Sequence, residues 1–341
     1  MTPDQGILPP RVAAQPGYLR LRVAPQAINA AILDHPEFAS FKATVTERFT
    51  AWGAEAAAQL KAFDKGDRPK ILIEALSESL LEAFRQVPLL DAYDVYQQLM
   101  DYAAETMEDD AYRIAEVGWI EAAKPQLIVE DKAKKTKARP DFAIGRRKYQ
   151  AELVPSPLLI ARYFAKEQVA IEGLEASLAA LAQQMEETAE EQGGEGGLLE
   201  EAKTDKDKFN KASVTARLKE IRTDREADEE RQAVQAYLAL IEQEAEVVAK
   251  LKSAEDALME KVLAKYAKLT EDEIKVLVVD DKWLATLGAA VHGELDCMSQ
   301  ALTGRVRQLA DRYATPLPQL VEEVAALTYR VEAHPRKMGA L

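Results

Sequence analysis

The sequence predicts a mainly α protein: a helical bundle with a long antiparallel helical hairpin, coiled-coil in character, and one small β ribbon. Three observations predict it. Apolar residues recur at helical spacing over most of the chain after residue 25. From Phe164 they step by three and four through Ile171, Leu174, Leu178, Leu181 and Met185, the spacing of heptad a and d positions, with Glu167 the one charged member of the series. Beyond one short alternating stretch at 18–23, only two stretches, 126–129 and 149–153, read as strands.

In chain order, residues 1–25 hold five prolines and predict an extended arm or linker, with one short alternating stretch at 18–23. Residues 26–120 predict a helical domain. Ile28, Ile32 and Leu33 make one face, and Phe38, Phe41, Val45, Phe49 and Trp52 the next. Pro69 starts a helix carrying Ile71, Leu72, Leu76, Leu80, Leu81 and Phe84, which Pro88 ends. Asp91 is placed to cap the helix that follows. Residues 121–155 predict the ribbon, two strands joined by a basic connection. A pair of strands alone is marginal in water, so it has to lean on helices.

Residues 156–269 predict the hairpin. Ser156-Pro157 reads as a helix start, with Ser as the cap. Twelve of the fifteen prolines lie at or before Pro157, and only Phe209 and Tyr237 are aromatic between Ala165 and Lys265, too few for a large globular core. The outward arm, 157–188, would be roughly 48 Å long at 1.5 Å per residue. Gly193, Gly194, Gly196 and Gly197 stop it. The return carries Val214, Leu218 and Ile221, then Val234, Leu238, Ile241, Ala245 and Val248, then Leu258, Val262 and Tyr266. Its seam is lost to charge at 222–232, and it is longer than the outward arm, so it has to break or overhang. On this reading Phe164, Ile171, Leu174, Leu178, Leu181, Met185, Leu218 and Ile221 hold the hairpin to itself. Val234, Leu238, Ile241, Ala245 and Val248 are the expected exposed docking surface. Residues 270–341 predict C-terminal helices: Thr270 and Glu273 form a capping box, and Thr315-Pro316 opens a last helix with Leu320, Val324, Leu327 and Val331.

Composition bounds function. The chain has 341 residues, 48% hydrophobic and 30% charged, with net charge −14, so its overall field does not attract nucleic acid. One cysteine and no secretion signal point to the cytoplasm, and no apolar stretch is long enough for a membrane span. Chemistry-bearing clusters are scarce. His35, His292 and His334 lie far apart. Cys297 and His292 are five residues apart, which does not place them side by side on a helix, so Cys297 is expected to be a buried structural thiol. Asp101, Glu105 and Asp109 share a helix face, best read as solvated. The glycine run follows no strand and carries glutamates, so it matches no phosphate loop. No catalytic, cofactor-binding or metal residue is assigned. The one candidate for phosphate contact is the basic run Lys132, Lys134, Lys135, Lys137, Arg139, Arg146, Arg147 and Lys148.

Four stretches carry a resemblance: LLDAYDVYQQLMDYAAETMEDDAYRIAEVGW at 89–119, ELVPSPLLIARYFAKEQVAIEGLEASL at 152–178, LTEDEIKVLVVDDKWLATLGAAVHGEL at 269–295 and RYATPLPQLVEEVAALTYRVEAH at 312–334. In content and order they resemble the C-terminal region of the long-form modification (M) subunit of type I restriction-modification systems, over most of residues 17–338. The resemblance implies a piece of a site-specific adenine-N6 DNA methyltransferase that uses S-adenosylmethionine. Two M subunits join one specificity (S) subunit in that family, with a restriction subunit in the full complex. The family's Asn-Pro-Pro-aromatic motif and Gly-rich cofactor turn are not in this sequence; its one Pro-Pro, Pro9-Pro10, lies between Leu8 and Arg11. The resemblance therefore implies a C-terminal fragment that docks the S subunit and transfers no methyl group alone, with DNA reached through the complex. Two rival readings are an autonomous coiled-coil scaffold or homodimer, and a DNA-binding module using the basic run.

Overall fold

A computed structural model describes residues 23–128, 140–204, 208–224, 227–314 and 317–337, the side chains of 317–318 and 332–337 excepted. The predicted strand at 18–23 therefore lies outside the described residues, apart from Val23. The architecture is mainly helical with one small open antiparallel sheet. The chain forms two compact units, one from Met1–Glu116 with Val279–Leu341, the other from Val117–Val278.

In the first unit the helical stretch expected after residue 25 is two helices, α1 (Ile28–Leu33) and α2 (Pro36–Ala62), because Pro36 restarts the helix with His35 as its cap. α2 buries Phe38, Phe41, Val45, Trp52, Ala56 and Leu60, the face its spacing predicts. α3 (Pro69–Phe84) packs on α2, and α4 (Ala92–Tyr102) packs on α3. Asp91 caps α4 as expected, its carboxylate accepting from Tyr93 N at 2.9 Å. A π-helical turn, Ala103–Met107, joins α4 to α5 (Glu108–Val117). The buried residues here run Val95, Leu99, Ala103, Met107, Ala111. Steps of four overshoot an α-helical turn by about 40° each. The wider π turn takes up that drift and keeps the series facing inward. The unit closes with α12 (Ala285–Arg312), which packs on α1, α2 and α4 and buries Leu287, Val291, Leu295, Ser299 and Thr303. Gly288 is placed on α12 where a Cβ would meet the Phe49 ring at 3.0 Å. α13 (Leu317–Lys337) is the last element.

The second unit begins with the short α6 (Trp119–Ala122). The expected two-stranded ribbon is a three-stranded sheet: β1 (Gln126–Leu127), β2 (Phe142–Ile144) and β3 (Arg147–Gln150), in the order β1-β3-β2, all antiparallel. Phe142 pairs with Tyr149 and Ile144 with Arg147, leaving a two-residue turn at Gly145-Arg146 with Gly145 at φ 60°. The sheet does lean on helix: Phe142 is buried and stacks on Tyr149 and on Tyr266, with ring centroids 5.2 and 5.9 Å away. Tyr266 Oη donates to Val154 O at 2.6 Å.

The outward arm of the hairpin is also two helices, α7 (Ser156–Tyr163) and α8 (Ala165–Gln192), with Phe164 at the break between them. Ser156 does not cap; it is the first helical residue and is buried. The glycine run ends α8, and two of its members have a steric reason: a Cβ on Gly193 would collide with Ala189 O, and one on Gly197 with Gln192 O. The return breaks, as its charged stretch suggested. α9 (Lys211–Glu220) is separate from α10 (Asp228–Tyr266), which runs back antiparallel along α8. α11 (Glu271–Lys275) opens with the expected Thr270–Glu273 capping box and packs on α6.

Candidate functional site

Polar chemistry is sparse and structural. Among the described residues no group of His, Cys, Asp or Glu is arranged to hold a metal ion. His35 caps α2, and His292 Nδ1 and Nε2 lie 2.7 and 3.2 Å from Gly288 O and Thr46 Oγ1. His334 is among the residues whose side chains are not described. Cys297 is exposed, contrary to the expected buried thiol. The buried face of α12 repeats every four residues through Leu295 and Ser299, which turns Cys297, midway between them, outward.

Asp101, Glu105 and Asp109 are exposed, as a solvated face requires. The next acid, Asp110, is 5% exposed. Its Oδ2 accepts from Lys282 Nζ at 2.6 Å and from the buried Trp283 Nε1 at 3.0 Å. Tyr102 faces the same region. Its phenol is pushed up to about 12, first by burial, then by the Asp110 charge, against a lowering by Thr286. This is a buried ion pair braced by an indole, with Lys282 and Trp283 on a second π-helical stretch, Val276–Leu284. Nothing in the sequence spacing paired Asp110 with a residue 172 positions away.

A second polar knot lies in the other unit. The Glu273 carboxylate accepts from Lys265 Nζ at 2.6 Å, Thr270 N at 2.9 Å and Tyr163 Oη at 3.1 Å. The Lys265 hydrogen bond, then that of Thr270, hold Glu273 down to about 2. Lys265 Nζ also lies 4.1 Å from the Tyr163 ring centroid. The knot ties α7, the end of α10 and the start of α11.

The hairpin seam faces α10. Ile171 is buried; Phe164, Leu174, Leu178, Leu181 and Met185 are half-buried. Glu167, the charged member of the series, pairs with Lys261 at 2.9 Å at the seam's edge. At the tip, Leu199, Ala202, Val214, Ile221, Val234 and Tyr237 form a closed core, against which Met185, Leu218, Leu238 and Ile241 pack. Phe209 and Tyr237 meet at 4.8 Å between ring centroids. Arg217 grips Glu230 with Nε and Nη2 at 2.6 and 3.2 Å, joining α9 to α10.

This corrects the expected docking surface. Val234 is fully buried, and Leu238 and Ile241 are engaged in the tip core, because the separate α9 folds over the start of α10. Only Ala245 and Val248 of that set are exposed. Nor does α10 overhang at its other end, where Leu258, Val262 and Tyr266 are buried and α10 meets β2 and α7. Beside the tip, an open depression is lined by Gly193, Gly194, Glu195, Glu200, Glu201, Lys203 and Thr204, and the Glu200 carboxylate in it is taken by Gly196 N.

Of the basic run, Lys132, Lys134, Lys135, Lys137 and Arg139 lie outside the described residues. Arg146, Arg147 and Lys148 are exposed at the β2–β3 turn.

The bare apolar surface lies elsewhere. On α13 every side chain from Gln319 to Val331 is exposed, including Leu320, Val324, Leu327 and Val331 at 44, 62, 52 and 69%. Steps of four, three and four put these four on one stripe, a coiled-coil seam with no partner helix on it among the described residues. The sequence showed the stripe; its lack of a partner took the structure to find. Among the described residues no helix is long and apolar enough to cross a membrane. Comparison with known protein families, with curated proteins and with solved structures finds no match to this chain.

Proposed function

We propose that this chain is an assembly module that docks helices of a partner subunit on α13, and that the partner is the specificity subunit of a type I restriction-modification DNA methyltransferase. The observation that carries the docking role is the uncovered seam Leu320, Val324, Leu327 and Val331. A helix of this kind gains by covering apolar surface, about 1.5–3 kcal/mol for each fully buried side chain. The identity of the partner rests on the four ordered stretches that resemble the modification subunit. On this reading the chain transfers no methyl group by itself, S-adenosylmethionine belongs to the full-length family member, and the setting is cytoplasmic. A second modification subunit and a restriction subunit complete the complex.

The test is capture by a tagged specificity subunit. The wild-type chain is captured, Leu320→Asp/Leu327→Asp loses at least about a hundredfold in affinity, and Ala245→Asp/Val248→Asp binds normally. Absence of capture, or equal capture of the α13 variant, overturns the reading. A stable homodimer by light scattering in place of capture favours the coiled-coil scaffold.

A second reading, DNA contact, is favoured by the exposed Arg146, Arg147 and Lys148 at the β2–β3 turn. It predicts salt-dependent DNA binding that Arg146→Glu/Arg147→Glu weakens. Unchanged fluorescence anisotropy with labelled duplex removes it.

A further inference from the structure

Two apolar stripes lie close in the chain, and among the described residues each lacks a cover. α12 spends one face on the core, from Leu287 to Thr303. A second stripe runs along its last half: Met298, Leu302, Val306, Leu309 and Tyr313. Leu302, Leu309 and Tyr313 are exposed at 37, 39 and 57%, and Met298 and Val306 are half-exposed. α13 presents Leu320, Val324, Leu327 and Val331. Helix α12 ends at Arg312 and α13 begins at Leu317, so only 313–316 connect them, a common length for a helix–helix turn.

The two stripes match. In one constant antiparallel register Tyr313 stands opposite Leu320, Leu309 opposite Val324, Val306 opposite Leu327 and Leu302 opposite Val331. The flanks match too. On one side Arg312 stands opposite Glu323, which are opposite charges at the positions that face each other across an antiparallel seam. On the other side Ala310 stands opposite Val321, so the apolar strip widens there.

We infer that the second stripe of α12 is the seat of α13: in the free chain the last helix folds back over 313–316 and closes an antiparallel hairpin on α12. The contact is intramolecular, so its effective concentration lies in the millimolar range and outweighs pairing between separate chains at micromolar concentration. Closure is a property of the chain alone and does not depend on the identity of any partner. A partner that docks on α13 competes with α12 for the same four side chains.

The experiment is disulfide trapping of the whole chain in a Cys297→Ser background. Val306→Cys/Leu327→Cys is oxidised at micromolar protein, and the product is read on a non-reducing gel. A pair facing across a seam meets disulfide geometry. It should close within one chain at least about tenfold faster than Val306→Cys/Tyr329→Cys, since Tyr329 lies off the stripe. Adding Glu323→Arg should slow trapping about twofold, and Arg312→Glu/Glu323→Arg should restore it. The pair Leu309→Cys/Val324→Cys gives an independent reading should the first variant misfold. Equal rates for the matched and off-stripe pairs, no trapping in either matched pair, or trapping only between chains overturns the closure.

Discussion

The hairpin tip and α13 are built from the same material and end in opposite states. Both are charged helices with a narrow apolar stripe. At the tip the chain turns back twice, so α8, α9 and α10 cover one another's stripes, and Val234 is fully buried with Tyr237 at 4% exposed. On α13 no described element covers the stripe, and Val324 is 62% exposed on an equally regular spacing. Amphipathic spacing therefore marks a surface that wants a cover; what covers it is decided by where the chain goes next.

That contrast can be broken or sharpened by substitution. The largest effect is expected at the tip. Tyr237→Ala removes the aromatic centre of a closed core and should cost about 3–5 kcal/mol, read as faster native-state hydrogen exchange through 211–250. Equal exchange in wild type and variant would mean that the tip is not a core. Next is the Arg217–Glu230 bridge, with side chains 23 and 19% exposed. Glu230→Gln should weaken the same segment by about 1–2 kcal/mol, since a charged hydrogen bond is lost without full burial.

A smaller effect depends on pH. Glu273 is held down to about 2 in the folded chain by Lys265 and Thr270, below its ordinary value of 4.5. Its contribution is complete above 4.5 and is lost as pH falls toward 2. The difference in urea midpoint between wild type and Glu273→Gln should be full at pH 6 and shrink at pH 3. A gap that holds constant would remove the charge from the account. The smallest effect is on α13, where Leu320→Asp should leave the unfolding of the rest of the chain within about 0.5 kcal/mol. A larger loss would mean that the core itself depends on α13.

Much of the local structure was legible in the sequence because its causes are local. Asp91 caps two residues on, Thr270 and Glu273 cap each other, and the glycine run stops α8 by contact with its own last turn. What failed to read has distant causes. β2 sits in a stretch with one strong signal, Phe142, whose reason for being buried is Tyr266, far along the chain. Val234 looked like surface because the return arm outruns the outward one; α9, which buries it, folds back over the start of α10. Asp110 drew no reading of its own beside the acidic face of Asp101, Glu105 and Asp109. The π turn before it and Lys282 from another part of the chain make it the buried one.

The Asp110–Lys282 pair also sets a timetable. The two residues are 172 positions apart, and the intervening Val117–Val278 is a compact unit of its own. At about 5–20 residues per second on the ribosome, Asp110 waits roughly 9–34 s for its lysine. During that interval α4 and α5 exist without the helix that completes their core, while the later-made unit is already whole. A carboxylate left hydrated on the unfinished surface opposes sticking between nascent chains, and the same group becomes a buried anchor once Lys282 emerges.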